Sequence, residues 1–231
     1  MTEGHIFTPF DKELEELKEM LIYEGGLVEK AIRDAMKSLV ERNSDLAKKV
    51  IADDDIVNAK EVKIDEFCLR LLALRQPAAK DLRFITMAIK INYDLERIGD
   101  MAVNISERAL ELNEEPQLKP YIDLPRMAKI VQKMVRESLD AFVREDVELA
   151  WKVTRDDAPV DQLCDQIFRE LLTFMMQDMR NISRASRLQF ISKYLERMAD
   201  HAVNIAELVI FMVKGKIIRH LKNGAEEKTD A

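Results

Sequence analysis

Two thirteen-residue stretches carry the side chains best suited to chemistry. Residues 95–107 read Leu95-Glu96-Arg97-Ile98-Gly99-Asp100-Met101-Ala102-Val103-Asn104-Ile105-Ser106-Glu107, and residues 195–207 read Leu195-Glu196-Arg197-Met198-Ala199-Asp200-His201-Ala202-Val203-Asn204-Ile205-Ala206-Glu207. The offset is 100 throughout, with nine identities in thirteen positions. Glu, Asp and Asn recur at i, i+4 and i+8, which on an α-helix makes one nearly axial stripe. Apolar residues flank each stripe, so the acids are expected to face inward. A further pair precedes each copy: Glu61 with Asp65, and Asp161 with Asp165, again 100 apart.

Carboxylates sharing an apolar site cannot all ionise without compensation. They take up protons, pair with cations such as Arg97 and Arg197, or bind metal. Carboxylates joined by amide oxygens suit hard cations: magnesium, manganese, calcium or ferric iron. Asn104 and Asn204 would then be outer ligands or hydrogen-bonding spacers. His201 has no counterpart in the first copy, where Met101 stands, and reads as a supporting or surface histidine. The Glu-x-x-His motif of di-iron bundle enzymes is absent from the sequence.

Chance sets the weight of these pairs. Acids make up 43 of 231 residues, so roughly eight i, i+4 acid pairs arise at random. The stripes at 96–104 and 196–204 stand out because they sit inside a long exact repeat. The earlier pairs carry less weight. Matching Leu46-Ala47 to Leu149-Ala150 and Val57 to Val160 requires an offset of 103, which pairs Asn58 with Asp161. The two alignments differ by about one helical turn.

The elements that must position these residues are helices. Charged residues are 34% of the chain and hydrophobic ones 47%, with only six Gly and six Pro. Apolar residues at three- and four-residue steps predict a helix from Phe10 to about Arg42, with close packing or a bend at Gly25-Gly26. Ser44 is expected to cap Asp45–Ala52, and Asp53-Asp54-Asp55 to break that helix and start another, ending before Pro77. A long helix to about Leu112 carries the first stripe. Residues 114–122 read as a linker. The pattern then repeats: a helix capped by Asp123, a short segment near Glu145–Thr154, a restart at Asp156-Asp157, and a last helix from about Arg184 to Lys214 with Gly215 as its cap. The expected fold is all-α: two tandem units, each of one long helix, a short helical segment and two more long helices, packed as two bundles related by a pseudo-twofold, over 10–113 and 123–222, with 1–9 a lead-in and 223–231 a frayed tail.

A net charge of −7 argues against nucleic acid. Cys68 and Cys164 read as buried free thiols of a reducing compartment. The longest apolar run is far short of the ~20 residues a bilayer requires, so a cytoplasmic protein is expected. Lys214, Lys216, Arg219, His220 and Lys222 suit a helix C-terminus or anionic lipid. Arg180, Arg184 and Arg187 cluster at the other end of the same helix.

The paired Leu-Glu-Arg-x-x-Asp stretches, the segment Arg75-Gln76-Pro77-Ala78-Ala79-Lys80-Asp81-Leu82-Arg83 and the ending Val213-Lys214-Gly215 together resemble the PhoU family of phosphate-uptake regulators. The resemblance runs over nearly the whole chain. It implies two PhoU-like three-helix bundles and a role rather than a reaction. Carried over residue by residue, it implies a multinuclear metal cluster on Glu61, Asp65, Glu96, Asp100, Asp161, Asp165, Glu196 and Asp200. Iron is the first expectation, with zinc, manganese or magnesium as alternatives. Implied partners are the ATPase subunit of a phosphate ABC transporter and a sensor histidine kinase, with peripheral attachment at the inner face of the membrane. The chain would act as a negative regulator and a homodimer. The competing expectation is a carboxylate-bridged oxidase or hydrolase on a helical bundle.

Overall fold

The computed structural model describes residues 9–215, which form seven α-helices and one 3₁₀ turn. The first half comprises α1 (Pro9–Val40), α2 (Ser44–Arg75) and α3 (Ala79–Asn113). The second comprises α4 (Asp123–Arg144), α5 (Val147–Arg155), α6 (Ala158–Gln177) and α7 (Ile182–Lys214). There is no strand among the described residues. The expected lead-in, the basic positions from Lys216 onward and the expected tail lie mostly or wholly outside them. No described helix is long and apolar enough to cross a membrane.

Within each half the helices pack on one another, and the halves meet where α3 lies along α7 and α1 along α4. α1 corresponds to α4 and α3 to α7, so both contacts cross the pseudo-twofold. One continuous core results, fed from both sides by Leu95, Ile98, Ala102 and Ile105 of α3 and Leu195, Met198, Ala202 and Ile205 of α7, all fully buried. Phe84 of α3 stacks on Phe142 of α4 with centroids 5.0 Å apart, a second apolar link between the halves.

The sharp turns that follow α1 and α4 are duplicates offset by 103. Arg42 and Glu145 both adopt φ 54°. The amide of Asn43 donates to Ser38 O and that of Asp146 to Ala141 O, each at 2.9 Å. Asn43 and Asp146 then cap the following helices, their side chains accepting from Leu46 N and Leu149 N, each at 3.0 Å. Ser44 is therefore not the cap. Asn43 has the extended backbone that a cap requires, and the Ser44 hydroxyl instead accepts from Asn113 Nδ2. Asp123 likewise opens α4 without capping it, because its carboxylate accepts from Gln166 of α6.

The three acids at 53–55 do not break α2, which is one helix of 32 residues. The break occurs only in the second half. At an offset of 103, Pro159 stands where the first half has Ile56. Proline has no N–H and clashes with the preceding turn, so the chain must restart at α6 with Pro159 in its first turn. Ile56 imposes nothing of the kind, and mid-helix Asp costs only about 0.5 kcal/mol.

Gly25 does mark close packing. A Cβ there would lie 2.0 Å from Leu139 Cδ1 of α4, whereas one on Gly26 would meet nothing within 4 Å. α1 runs through both glycines as a helix. The linker at 114–122 is clasped by arginines. Arg42 donates to the carbonyls of Asn113 (2.7 Å) and Glu115 (2.6 Å), Arg184 to that of Pro116 (2.8 Å), and Arg187 pairs with Glu111 and Glu115. The cluster at 180–187 thus has a structural use in Arg184 and Arg187, while Arg180 pairs with Asp178 beside it.

Candidate metal-binding grooves

Each half presents a groove of carboxylates between its second helix and its last. In the first half α3 supplies Glu96 and Asp100, and α2 supplies Asp54 and Glu61. All four are partly buried rather than enclosed. Burial raises the Asp54, Glu61 and Glu96 carboxyls above the usual range, and Asp100 adds to the rise in each. Asp54 Oδ1 stands beside α3, 3.6 Å from where a Cβ on Gly99 would lie, so acids of the two helices border one groove. Asn58 steadies Asp54 by donating from Nδ2 at 3.2 Å, and Arg97 holds Asp100 at 2.8 Å. Asp54 also lines a small cleft floored by Val57 and Gly99.

In the second half α7 supplies Glu196 and Asp200, and α6 supplies Asp157 and Asp161. Asp157 is pushed up to about 6 by burial and then by Asp161, Asp200 and Glu196. One of its oxygens is buried with no hydrogen-bond partner. Burial and Glu196 likewise raise Asp161 and Asp200. Asp161, Asp165 and Asp200 are exposed, so this groove is shallower than the expected inward stripe. Lys193 pairs with Glu196 on the solvent side at 2.6 Å.

The contacts decide the register. Asp54 faces Asp100 and Asp157 faces Asp200, an offset of 103 on α2 and α6 against 100 on α3 and α7. About two turns further along, Asn92 of α3 donates to the Glu61 carbonyl, and Ser192 of α7 meets Cys164 at 3.8 Å. The same two offsets hold there. Asp161 therefore stands opposite the position of Asn58, not of Glu61, and Asp165 opposite that of Val62. The two halves share one level of acids, and Asp54 and Asp157 belong to it. Neither was singled out as a site residue from sequence, where both looked like helix-start acids. The offset-103 match of Val57 to Val160 was the signal that could have found them.

Asp65 is half-buried and accepts from Asn92 Nδ2 at 2.9 Å. Asn104 and Asn204 lie half-buried further along the stripes. His201 is not beside either groove's acids as a ligand. Its Nδ1 lies 2.7 Å from Asp94 Oδ1, a part-buried link from α7 to α3 across the two halves. Glu24 of α1 is fully buried beside the first groove, with both carboxyl oxygens unpartnered. Burial, then Glu61, Asp65 and Glu96, push it up to about 8. It was not anticipated, because it has no duplicate.

As the side chains stand, no three His, Cys, Asp or Glu groups surround one point among the described residues. What the grooves offer a cation is donor chemistry: oxygen only, half-desolvated, with repulsion among the acids that a positive ion would relieve. The unpartnered Asp157 oxygen fits that use. Both thiols are buried and free, and burial raises them, Cys68 to about 12, so neither is a ready thiolate ligand.

A sequence model of the PhoU domain matches the chain twice, over residues 23–109 and 124–209. The phosphate-specific transport system accessory protein PhoU homolog of Pseudomonas aeruginosa is 46% identical over 218 residues, covering 94% of this chain and 90% of that protein. The crystal structure of PhoU from Pseudomonas aeruginosa superposes with a TM-score of 0.86 at 47% identity, over 90% of this chain and 100% of that one. The phosphate transport system regulatory protein PhoU from Streptococcus pneumoniae superposes with a TM-score of 0.85 at 31% identity, over 90% of this chain and 99% of that one.

Proposed function

The chain belongs to the PhoU family, and on that premise we propose that it is an accessory regulator of a phosphate-specific transport system, with cations held in its two acidic grooves. The observation that carries the role is the match of both repeats, over 94% of the chain, to a protein named for that system. The regulation is negative: the protein restrains uptake and supports silencing of the phosphate response. It works by docking rather than by turnover. Its partners are the ATPase subunit of the transporter and the sensor histidine kinase, it acts as a homodimer, and it sits in the cytoplasm against the inner face of the membrane.

The grooves support the metal part of this reading. Glu96, Asp100, Asp54 and Glu61 would hold the ion or ions of the first half, and Glu196, Asp200, Asp157 and Asp161 those of the second. A bound multivalent cation supplies charge compensation there, and iron, manganese or magnesium fit an all-oxygen donor set better than zinc does. Loaded grooves would also present positive charge at the surface, where bare ones repel anions such as phosphate.

The test is the Asp100→Asn, Asp200→Asn double variant. Elemental analysis of protein purified without chelator should find metal in the natural chain and little in the variant. The variant should fail to hold down a phosphate-starvation reporter at high phosphate. Full metal loss with intact repression would reduce the grooves to a structural role. Retained metal with intact repression would remove these two acids from the site.

A further inference from the structure

We propose that the small apolar cleft between α1, α2 and α3 receives residues 216–222 of a second copy of the chain. The proposal rests on the homodimer reading and gives that dimer a contact. Leu27, Ala31, Val50, Val57, Gly99 and Val103 wall the cleft, which holds about 50 Å³. A water needs only about 10–15 Å³, but these walls are hydrocarbon, so the tip of an aliphatic side chain suits the space better. Lys30, Asp34, Asp53 and Asp54 complete the lining, three carboxylates against one ammonium. Lys30 and Asp53 pair at 3.3 Å on the solvent side, where both are about half-exposed. The second half shows that the fold does not need the cleft. Met134 and Ala199 stand where the first half has Ala31 and Gly99, and both are fully buried. The rim is kept, since Lys133 pairs with Asp156 at 3.4 Å. The first half therefore keeps the frame and leaves its floor unfilled.

Charge and reach choose the occupant among the segments outside the described residues. Residues 1–8 include no Lys or Arg and so lack the charge that the acidic rim favours. The other segment reads Lys216-Ile217-Ile218-Arg219-His220-Leu221-Lys222, aliphatic side chains set between cations. Its aliphatic tips match the walls, and its cations match Asp34 and Asp53. Exposed ion pairs are weak singly, so the apolar tip supplies the fit and the charges select the partner. The same molecule cannot supply this segment. α7 ends beside the start of α3, where Arg83 Nε donates to Met212 O at 3.4 Å. Gly99 lies sixteen residues further along α3, about 24 Å away at 1.5 Å per residue. Fully extended from Gly215, the chain reaches about 10 Å at Ile218 and about 20 Å at Leu221. The cleft is thus filled from a neighbouring copy. Two copies that exchange these segments make two equal contacts, each of which strengthens the other.

The test is sedimentation equilibrium of the full chain, alone and in mixtures, with each variant shown folded by circular dichroism. Ala31→Met copies the second half and fills the cleft. Ile217→Asp with Ile218→Asp spoils the segment and leaves the cleft open. Each variant should self-associate about tenfold more weakly than the natural chain, or worse. Mixing the two should restore pairing, because a mixed pair keeps one intact segment facing one intact cleft. Should Ala31→Met fail to fold, Gly99→Ala decides, since its Cβ would meet Val57 Cγ1 at 3.4 Å and still take up cleft space. Undiminished association of every variant would overturn the proposal and leave the homodimer standing. Weakened variants whose mixture does not recover would also overturn it, since cleft and segment would then not meet. A natural chain that stays monomeric would overturn both readings.

Discussion

The two halves fold alike and differ most at one level of their acidic grooves. At the level of Asp54 and Asp100 in the first half, and Asp157 and Asp200 in the second, acids from two helices face each other in both. About two turns along, the first half places Glu24, Glu61, Asp65 and Asn92, and the second places Met127, Cys164, Phe168 and Ser192. The helices that carry these residues correspond, and the turns at Arg42 and Glu145 are duplicates, although α2 is continuous where α5 and α6 are separate. Fold therefore does not demand charge at this level. The contrast separates what the bundle needs from what the first half adds.

Removing Glu24 should have the largest effect on that contrast. Its folded carboxyl is pushed up to about 8, from an ordinary value of 4.5, by burial and the acids Glu61, Asp65 and Glu96. Below pH 4.5 both folded and unfolded chains hold the proton. Between about 4.5 and 8 the unfolded chain releases it and the folded chain keeps it. Stability therefore falls as pH rises through that window, by on the order of 4 kcal/mol at its upper end. Glu24→Met copies the second half and should abolish this slope. In urea titrations without metal, the variant should exceed the natural protein by several kcal/mol at pH 8 and match it near pH 4.5. An unchanged slope would show that Glu24 already has a partner in solution. Asp157, raised to about 6 and half-exposed, should add a smaller slope of the same sign, of about 1 kcal/mol after screening.

The contrast also explains how far the sequence could be read. Long helices were legible because apolar residues recur every three or four positions, and the linker because its prolines end helices. The exact repeat exposed the stripes of α3 and α7. The partner helix was harder. A slip of three residues turns a helix by 300°, close to a full turn, so the apolar faces of α2 and α6 look acceptable at either 100 or 103. Only the capping turns and the contacts of Asp54, Asp157, Asn92 and Ser192 fix the choice. Glu24 was hidden for a different reason. A search by duplication finds only what both halves keep, and its counterpart is Met127. Pro159 marks the restart of α6, whereas the aspartates at 53–55 imitate a helix start where Ile56 leaves α2 unbroken.

A second contrast lies across the pseudo-twofold itself. Asp94 of α3 meets His201 of α7, while the matching positions on the other side are Tyr194 and Met101. One crossing pairs an acid with a histidine, and the matching positions hold neither. Replacing His201 by Met would leave the buried Asp94 carboxylate without its partner, at a cost of about 3 kcal/mol. Asp94→Asn in that background should recover part of the loss, since it removes the charge that burial penalises. A double-mutant cycle read by thermal unfolding would measure the coupling. Additive effects would mean that the link does not bind the halves together.

The smallest effects should come from the paired glycines of α1, and they sharpen the comparison with α4. The positions matching Gly25 and Gly26 are Ala128 and Lys129, so α4 forms the same helix without glycine. At Gly26 nothing stands within 4 Å of an added Cβ. Gly26→Ala should stabilise by about 0.5–1 kcal/mol through helix propensity alone. At Gly25 the added methyl would lie 2.0 Å from Leu139 Cδ1 of α4, so that side chain must rotate away. The propensity gain is then offset by strain of about 1–3 kcal/mol, and Gly25→Ala should be neutral to destabilising. Met36 matches Leu139 in the repeat, and an unbranched side chain adapts more readily to an added methyl. Leu139→Met should therefore make Gly25→Ala tolerable, bringing its unfolding midpoint toward that of Gly26→Ala. If Gly25→Ala alone already stabilises as much as Gly26→Ala, the close approach of α1 and α4 is not what keeps glycine at position 25.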